Sequence, residues 1–303
     1  MERKEFAIRS DFDGLTLRGV ILEPSDNVKG VVQIQHGMGE YKERYQELME
    51  VLSKDGFVAV CYDQRGHGDS VQSEADYGWF GDLNGEAVVD DAVQVTKYLK
   101  GLYPHLPFSL VGHSMGTMIA RCYIQKNDTL IDKLVLSGSP SKNPLIDAGI
   151  LLSKLVRKVK GDRHRSKMLS FVSTGKGDKL FPGEGAGAWL SRNYECTKAF
   201  YENPKGKHKF TTNGFENLFK LMKHTYQKKR YKVENPNLPI LFMSGEKDAV
   251  RLNSVKWSRS LNFLYDVGYK NVTGKLYKNM RHEIFNEIGR EEVFEDLLRF
   301  LNA

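Results

Sequence analysis

The chain has 303 residues, 40% of them hydrophobic, with 45 Lys and Arg against 38 Asp and Glu and a formal net charge of +7. That length suits one large α/β domain with an insertion or two modest domains, and the apolar content is enough for a core. Three scattered cysteines, Cys61, Cys122 and Cys196, exclude a disulfide framework and have no metal-ligand spacing, so a reducing, cytoplasmic setting is expected. Residues 1–6 contain no apolar stretch of a signal peptide, and no segment reaches the roughly 20 apolar residues of a membrane span. The basic balance does not by itself choose among nucleic acid, an anionic membrane surface and an acidic substrate.

In chain order, residues 6–10 and 15–22 read as two strands joined by a turn at Asp13-Gly14. Residues 30–35 form an apolar strand, 43–54 a helix stopped at Gly56, and 57–62 another buried strand. Helical spacing returns over 86–103. A strand over 108–111, a turn at Ser114, a helix over 115–126 and a strand over 133–137 follow. Strands alternating with helices predict a mostly parallel sheet covered by helices on both faces. The rhythm breaks after Pro140. Residues 141–235 show no buried strand, and the pattern resumes with a strand at 238–243, a helix at 253–265, a strand at 272–277 and a closing helix at 290–301. The expected division is a core of residues 1–140 and 236–303 carrying a helical cap of residues 141–235. That insertion starts at the carboxyl edge of the sheet, where α/β sites lie, which makes it a candidate lid.

Chemistry concentrates at Gly112-His113-Ser114-Met115-Gly116. A G-x-S-x-G between a strand and a helix predicts a tight elbow that presents the serine Oγ at the positive end of the helix. A serine hydroxyl needs a base, and the base needs an acid to orient it. In chain order the acid is expected after a late strand, at Asp248, with Glu246 as the alternative. The histidine is expected in the loop after the last strand, at His282. An oxyanion hole is predicted from the backbone N–H groups of Met115 and Met38, the latter in the loop His36-Gly37-Met38-Gly39. Residues 63–70, Asp-Gln-Arg-Gly-His-Gly-Asp-Ser, read as a structural loop braced by Arg65, and Trp79-Phe80-Gly81-Asp82 as a candidate pocket rim. No phosphate-binding glycine motif is present, so neither nucleotide nor metal nor other cofactor is expected.

Taken together, these motifs resemble the α/β-hydrolases, and within them the monoacylglycerol lipase, lysophospholipase and serine aminopeptidase S33 group. The resemblance rests on His36-Gly37-Met38-Gly39-Glu40, Asp63 to Gly68, Gly112 to Gly116, Gly245 to Asp248 and Arg281-His282-Glu283, and it spans residues 15–140 and 238–300. It implies an α/β-hydrolase fold, with a mostly parallel sheet and an inserted helical cap. It also implies carboxylic-ester hydrolysis through an acyl-enzyme, on an acyl ester or lysolipid. Trp189-Leu190-Ser191-Arg192 of the cap resembles bacterial lysophospholipase-like members. His36, Gly37, His113, Phe181 and Trp189 are the candidate substrate contacts. Two other classes remain: a proline-releasing aminopeptidase and a non-catalytic ligand-binding protein on the same fold.

Residues 145–160 place Ala148, Leu151, Leu152, Leu155 and Val159 on one side and Lys154, Arg157, Lys158 and Lys160 on the other. That is a basic amphipathic helix. Two readings stand: a lid facing an anionic membrane, or a cap helix packed on the core with a solvated basic face. No nucleic-acid partner is expected, and the oligomeric state is not legible.

Overall fold

Successive residues of a strand point to opposite faces of the sheet. The central strands, apolar at almost every position, therefore bury both faces at once. The computed structural model describes residues 1–81, 83–174, 177–206 and 208–303. Its eight strands are β1 (Glu2–Arg9), β2 (Thr16–Glu23), β3 (Gly30–Gln35), β4 (Phe57–Tyr62), β5 (Phe108–His113), β6 (Lys133–Ser137), β7 (Ile240–Gly245) and β8 (Val272–Tyr277). They form one sheet in the order β1-β2-β4-β3-β5-β6-β7-β8. β1 and β2 run antiparallel to their neighbours, and β3 to β8 are parallel. Val58, Val60, Leu110, Leu134, Leu136 and Phe242 enter one apolar core, while Ala59, Cys61, Val111, Val135 and Met243 enter the other.

The helices outside the β6–β7 connection are α1 (Gln46–Lys54), α2 (Ala87–Leu102), α3 (Met115–Asn127), α8 (Ser254–Val267) and α9 (Arg290–Asn302). α2, α3 and α8 cover the first core, and α1 and α9 the second. The expected elements match closely. The main difference is β1, which begins at Glu2 rather than near Phe6. Its first four residues are an exposed edge paired with β2, so they carry no apolar alternation to read.

Between β6 and β7 lie α4 (Ile146–Lys160), α5 (Lys167–Thr174), α6 (Tyr194–Glu202) and α7 (Thr212–Thr225), with no strand among the described residues. α7 extends the first core through Phe215, Leu218, Phe219 and Leu221. α6 sends Phe200 to a small cluster with Tyr41 and Leu190. Phe80 packs edge-on against Phe210, and Trp79 lies beneath the Arg163 guanidinium; Asp82 lies outside the described residues.

The packing of α4 uses a different set of residues from its longer apolar side. Its buried residues are Gly149, Ile150 and Ser153, and it lies close against α7, where a Cβ on Gly149 would stand 3.4 Å from Phe219. Leu151, Leu155 and Val159, from the apolar side read in the sequence, are 59%, 53% and 76% exposed.

Candidate active site

The turn between β5 and α3 leaves no room for side chains at positions 112 and 116, two residues either side of Ser114. A Cβ on Gly116 would stand 2.0 Å from the Gln35 carbonyl oxygen, and one on Gly112 would stand 2.5 Å from that of Gly116. Ser114 itself sits at φ 52° and ψ −115°, a conformation that costs a non-glycine residue about 1–3 kcal/mol. Surrounding bonds hold it there. Ser114 N–H donates to Ser137 O at 2.9 Å, and Thr117 donates to Ser114 O through both its N–H (2.9 Å) and its hydroxyl (2.6 Å). Met115 opens α3, so its N–H has no intrahelical acceptor and is available at the turn.

Asp248 follows β7 and is buried. Its Oδ1 accepts the Val250 N–H at 2.8 Å and lies 3.0 Å from His282 Nδ1, and its Oδ2 accepts the Ser244 hydroxyl at 3.1 Å. Glu246, the alternative acid, is exposed and accepts Asn279 N–H instead. Gly245 lets the histidine loop close in, since a Cβ there would stand 2.1 Å from Arg281 O. With Nδ1–H given to Asp248, His282 has Nε2 free to serve a reacting group. Its ring abuts Gly138, the residue after Ser137, which accepts the Ser114 N–H. Ser114 and His282 thus both lie against the end of β6, one at Ser137 and the other at Gly138. Burial opposes the charged forms of both partners, but their mutual attraction and hydrogen bond outweigh it. The Asp248 carboxyl is held below its ordinary value and His282 above its ordinary 6.5.

The loop after β3 lies against Ser114. A Cβ on Gly37 would come within 3.1 Å of Ser114 Cβ and 2.7 Å of Glu40 Oε2. Two histidines brace this loop from behind. His36 bonds Gly37 O through Nδ1 (2.8 Å) and accepts Gln64 N–H at Nε2 (3.0 Å). His67 bonds Arg65 O through Nδ1 (2.9 Å) and accepts Gly39 N–H at Nε2 (3.2 Å). Both ring nitrogens of His36 are thus engaged by the main chain and the side chain is fully buried, so it supports the loop rather than facing a substrate. Arg65 braces the same region through Asp91, Ser10 and Phe80 O. Glu43, Asp63 and Asp69 bring carboxylate oxygens within 4.8 Å of one another, and Lys42 and Lys205 ammonium groups bond to them.

The remaining candidates fall into two groups. His113 is buried, with Nδ1 3.3 Å from Ser137 Oγ and its ring 4.8 Å from that of His282. Its position is behind the site. Trp189 is half-buried and stacks on His282 with centroids 5.1 Å apart. Phe181 lies under the Arg281 guanidinium at 3.9 Å.

Sequence reasoning missed two sets of acidic residues. Glu287 is fully buried. Its Oε1 accepts Ser191 Oγ–H and Arg192 N–H, and its Oε2 accepts Arg281 N–H, so it joins the Trp189 segment to the histidine loop. Glu40 and Glu283 both hold Arg44. Glu40 stood within the resembling motif and Glu283 beside His282, yet no local pattern says that they meet.

Comparison with known proteins agrees with this architecture. The chain matches the family model described as "Serine aminopeptidase, S33" over residues 26–289. It is 26% identical over 267 residues to a monoglyceride lipase homolog of Monkeypox virus, covering 88% of this chain and 86% of the viral one. It is 26% identical over 279 residues to a monoacylglycerol lipase of Mycolicibacterium smegmatis, covering 92% and 90%. A thermostable carboxyl esterase from Bacillus coagulans superposes with a TM-score of 0.91 at 24% identity, over 100% of this chain and 98% of the esterase, a likeness of fold. The family match takes in β3 to β8 and the loops that hold Ser114, Asp248 and His282, and the chain belongs to the serine aminopeptidase S33 family of α/β-hydrolases.

Proposed function

We propose that this protein hydrolyses carboxylic esters of single-chain lipids, monoacylglycerols or lysophospholipids, through an acyl-enzyme on Ser114. The carrying observation is the 3.0 Å contact of His282 Nδ1 with Asp248 Oδ1 beside the strained Ser114. Ser114 Oγ attacks the ester carbonyl carbon while His282 Nε2 takes its proton. Asp248 holds the ring orientation and stabilises the imidazolium. The N–H groups of Met38 and Met115 receive the oxyanion. The tetrahedral intermediate collapses, His282 returns the proton to the departing alcohol oxygen, and water then repeats the sequence on the acyl-enzyme to release the acid. The lipase names of the viral and mycobacterial relatives support the acyl-ester class.

In this reading residues 141–235 are a cap over the site, with Trp189 and Phe181 at the acyl pocket. The outer face of that cap docks on an anionic bilayer. Leu151, Leu155 and Val159 of α4 and Met168, Phe171 and Val172 of α5 are exposed apolar residues. Lys154, Lys158, Lys160 and Lys167 beside them enter no ion pair among the described residues. Apolar burial with basic flanks suits an anionic interface. No helix among the described residues is long and apolar enough to cross a membrane.

An aminopeptidase must hold a substrate ammonium with carboxylates. Glu40 and Glu283 are occupied by Arg44, Glu184 by Arg281, and Glu216 by Arg157 and Lys220, which favours the ester reading. The test is hydrolysis of 4-nitrophenyl esters from C2 to C16, with Ser114→Ala as control. Activity that peaks at C8 or longer and is lost in the variant supports the proposal. Activity confined to the shortest esters moves the substrate to small esters. Absence of Ser114-dependent hydrolysis at every length overturns the esterase reading.

A further inference from the structure

Arg44 stands in the short turn before α1, with its side chain only 6% exposed and one acidic partner on each side. On one side is Glu40, at the end of the loop that carries Met38. Glu40 Oε2 accepts the Gly37 N–H at 2.6 Å and the Tyr45 hydroxyl at 2.8 Å, so this carboxylate pins the His36–Gly37 peptide, the one before the peptide that carries the Met38 N–H. On the other side is Glu283, the residue after His282, which takes the guanidinium in two bonds of 2.9 and 2.6 Å. Asn286 donates to the same carboxylate at 3.2 Å, and the Glu283 N–H donates to Leu190 O at 2.7 Å. Phe200 of α6 covers the guanidinium at 4.5 Å.

We infer that Arg44, with Glu40 and Glu283, is a positioning cluster that sets the oxyanion loop and His282 at a fixed spacing and places a net negative charge beside the imidazole. Stability alone does not account for such a cluster. Desolvating three charges costs several kcal/mol per ion, about what their attraction returns, and apolar replacements are often as stable. The esterase reading supplies the reason, and the kinetic part of the inference rests on it. An oxyanion forms at the Met38 loop while an imidazolium forms at His282, and a misplacement of about 1 Å between such groups costs on the order of 100-fold in rate. One guanidinium bonded to both flanks fixes that distance. Two carboxylates against one guanidinium leave one negative charge, which favours the imidazolium.

The charged and titratable groups facing His282 are Asp248 from the β7 loop, His113 from β5, Glu283 on its own loop, and Glu40 with Arg44 from across the site. Burial opposes the imidazolium most strongly; Asp248 outweighs it, and Glu283 and Glu40 add in the same direction. His113, pushed down to about 4 by burial, stays neutral and does not compete.

The experiment uses the full chain, with Glu283→Gln and Arg44→Lys as separate variants. Ester hydrolysis is followed across pH, and the His282 imidazole is titrated by NMR. Glu283→Gln keeps the shape and removes a charge, so both the acid limb of kcat/KM and the His282 titration are expected to move to lower pH. Arg44→Lys keeps the charge and loses the two-pronged grip. It is expected to lower kcat about 10- to 100-fold, with KM changed less than about twofold. Should Arg44→Lys fail to fold, the Glu283→Gln titration decides. A His282 titration unmoved in Glu283→Gln, or a loss in folded Arg44→Lys that falls on KM alone, overturns the inference. If the wild type shows no ester turnover, the esterase reading fails, and the NMR titration still tests the charge effect.

Discussion

Burial treats the histidines around Ser114 in opposite ways. His36, His67 and His113 are desolvated without a carboxylate strong enough to compensate, and they are pushed down to about 4, 3 and 4. His282 is equally buried, yet Asp248 at 3.0 Å reverses the sign. Of these four histidines only His282 is held above its ordinary value, and under the proposed chemistry it works as a base only when neutral. kcat/KM is therefore expected to be low in acid and to rise through a single limb lying above the ordinary imidazole value of 6.5. Asp248→Asn removes the attraction and moves that limb down, with a large loss of rate. A limb near pH 4 in the wild type would assign the base to another histidine. At this scale the candidate site is legible in the sequence: Ser114, Asp248 and His282 can be named as candidates because chain order and flanking elements are local signals. The task of His36 was not, because its partners Gln64 and Gly37 come from two different loops.

α4 shows where element-scale reading stops. Its apolar residues recur with helical spacing, so the helix itself was predictable. Which face packs was not. Leu151, Leu155 and Val159 form the longer apolar stripe, but a flat surface of Gly149, Ile150 and Ser153 allows the close approach to Phe219 of α7. Ile150→Ala is expected to cost about 2–4 kcal/mol in urea unfolding, as a buried aliphatic truncation does. Leu151→Ser with Leu155→Ser is expected to change stability by less than about 1 kcal/mol, since exposed sites contribute little. The same double variant should lose sedimentation with anionic vesicles. Retained sedimentation would count against bilayer docking through this face.

For the molecule as a whole, the histidine loop is bound to the β6–β7 connection as well as to the sheet. His282 N–H and Glu283 N–H donate to Trp189 O and Leu190 O, Arg281 Nη1–H to Ala188 O, and Glu287 gathers Ser191, Arg192 and Arg281. Glu287→Ala leaves the main-chain donors of Arg281 and Arg192 without their buried acceptor. It is expected to cost about 3 kcal/mol or more in thermal unfolding. Because Trp189 would lose its fixed place on His282, kcat should fall as well. A variant with lowered stability but wild-type kcat would separate the two segments functionally.

The sequence by itself determined the strand and helix order, the elbow, and the chain order of serine, acid and histidine. Each is encoded within a few neighbouring residues: glycines that alone fit a tight turn, apolar runs of strand length, polar loops after them. Only the tertiary structure decided that Glu40, Arg44 and Glu283 share one cluster, that Glu287 joins Trp189 to His282, and that the longer apolar stripe of α4 faces outward. These depend on contacts between residues far apart in the chain, as with Arg44 and Glu283 at a separation of 239. The sheet order brings such residues together, and no local periodicity carries that information.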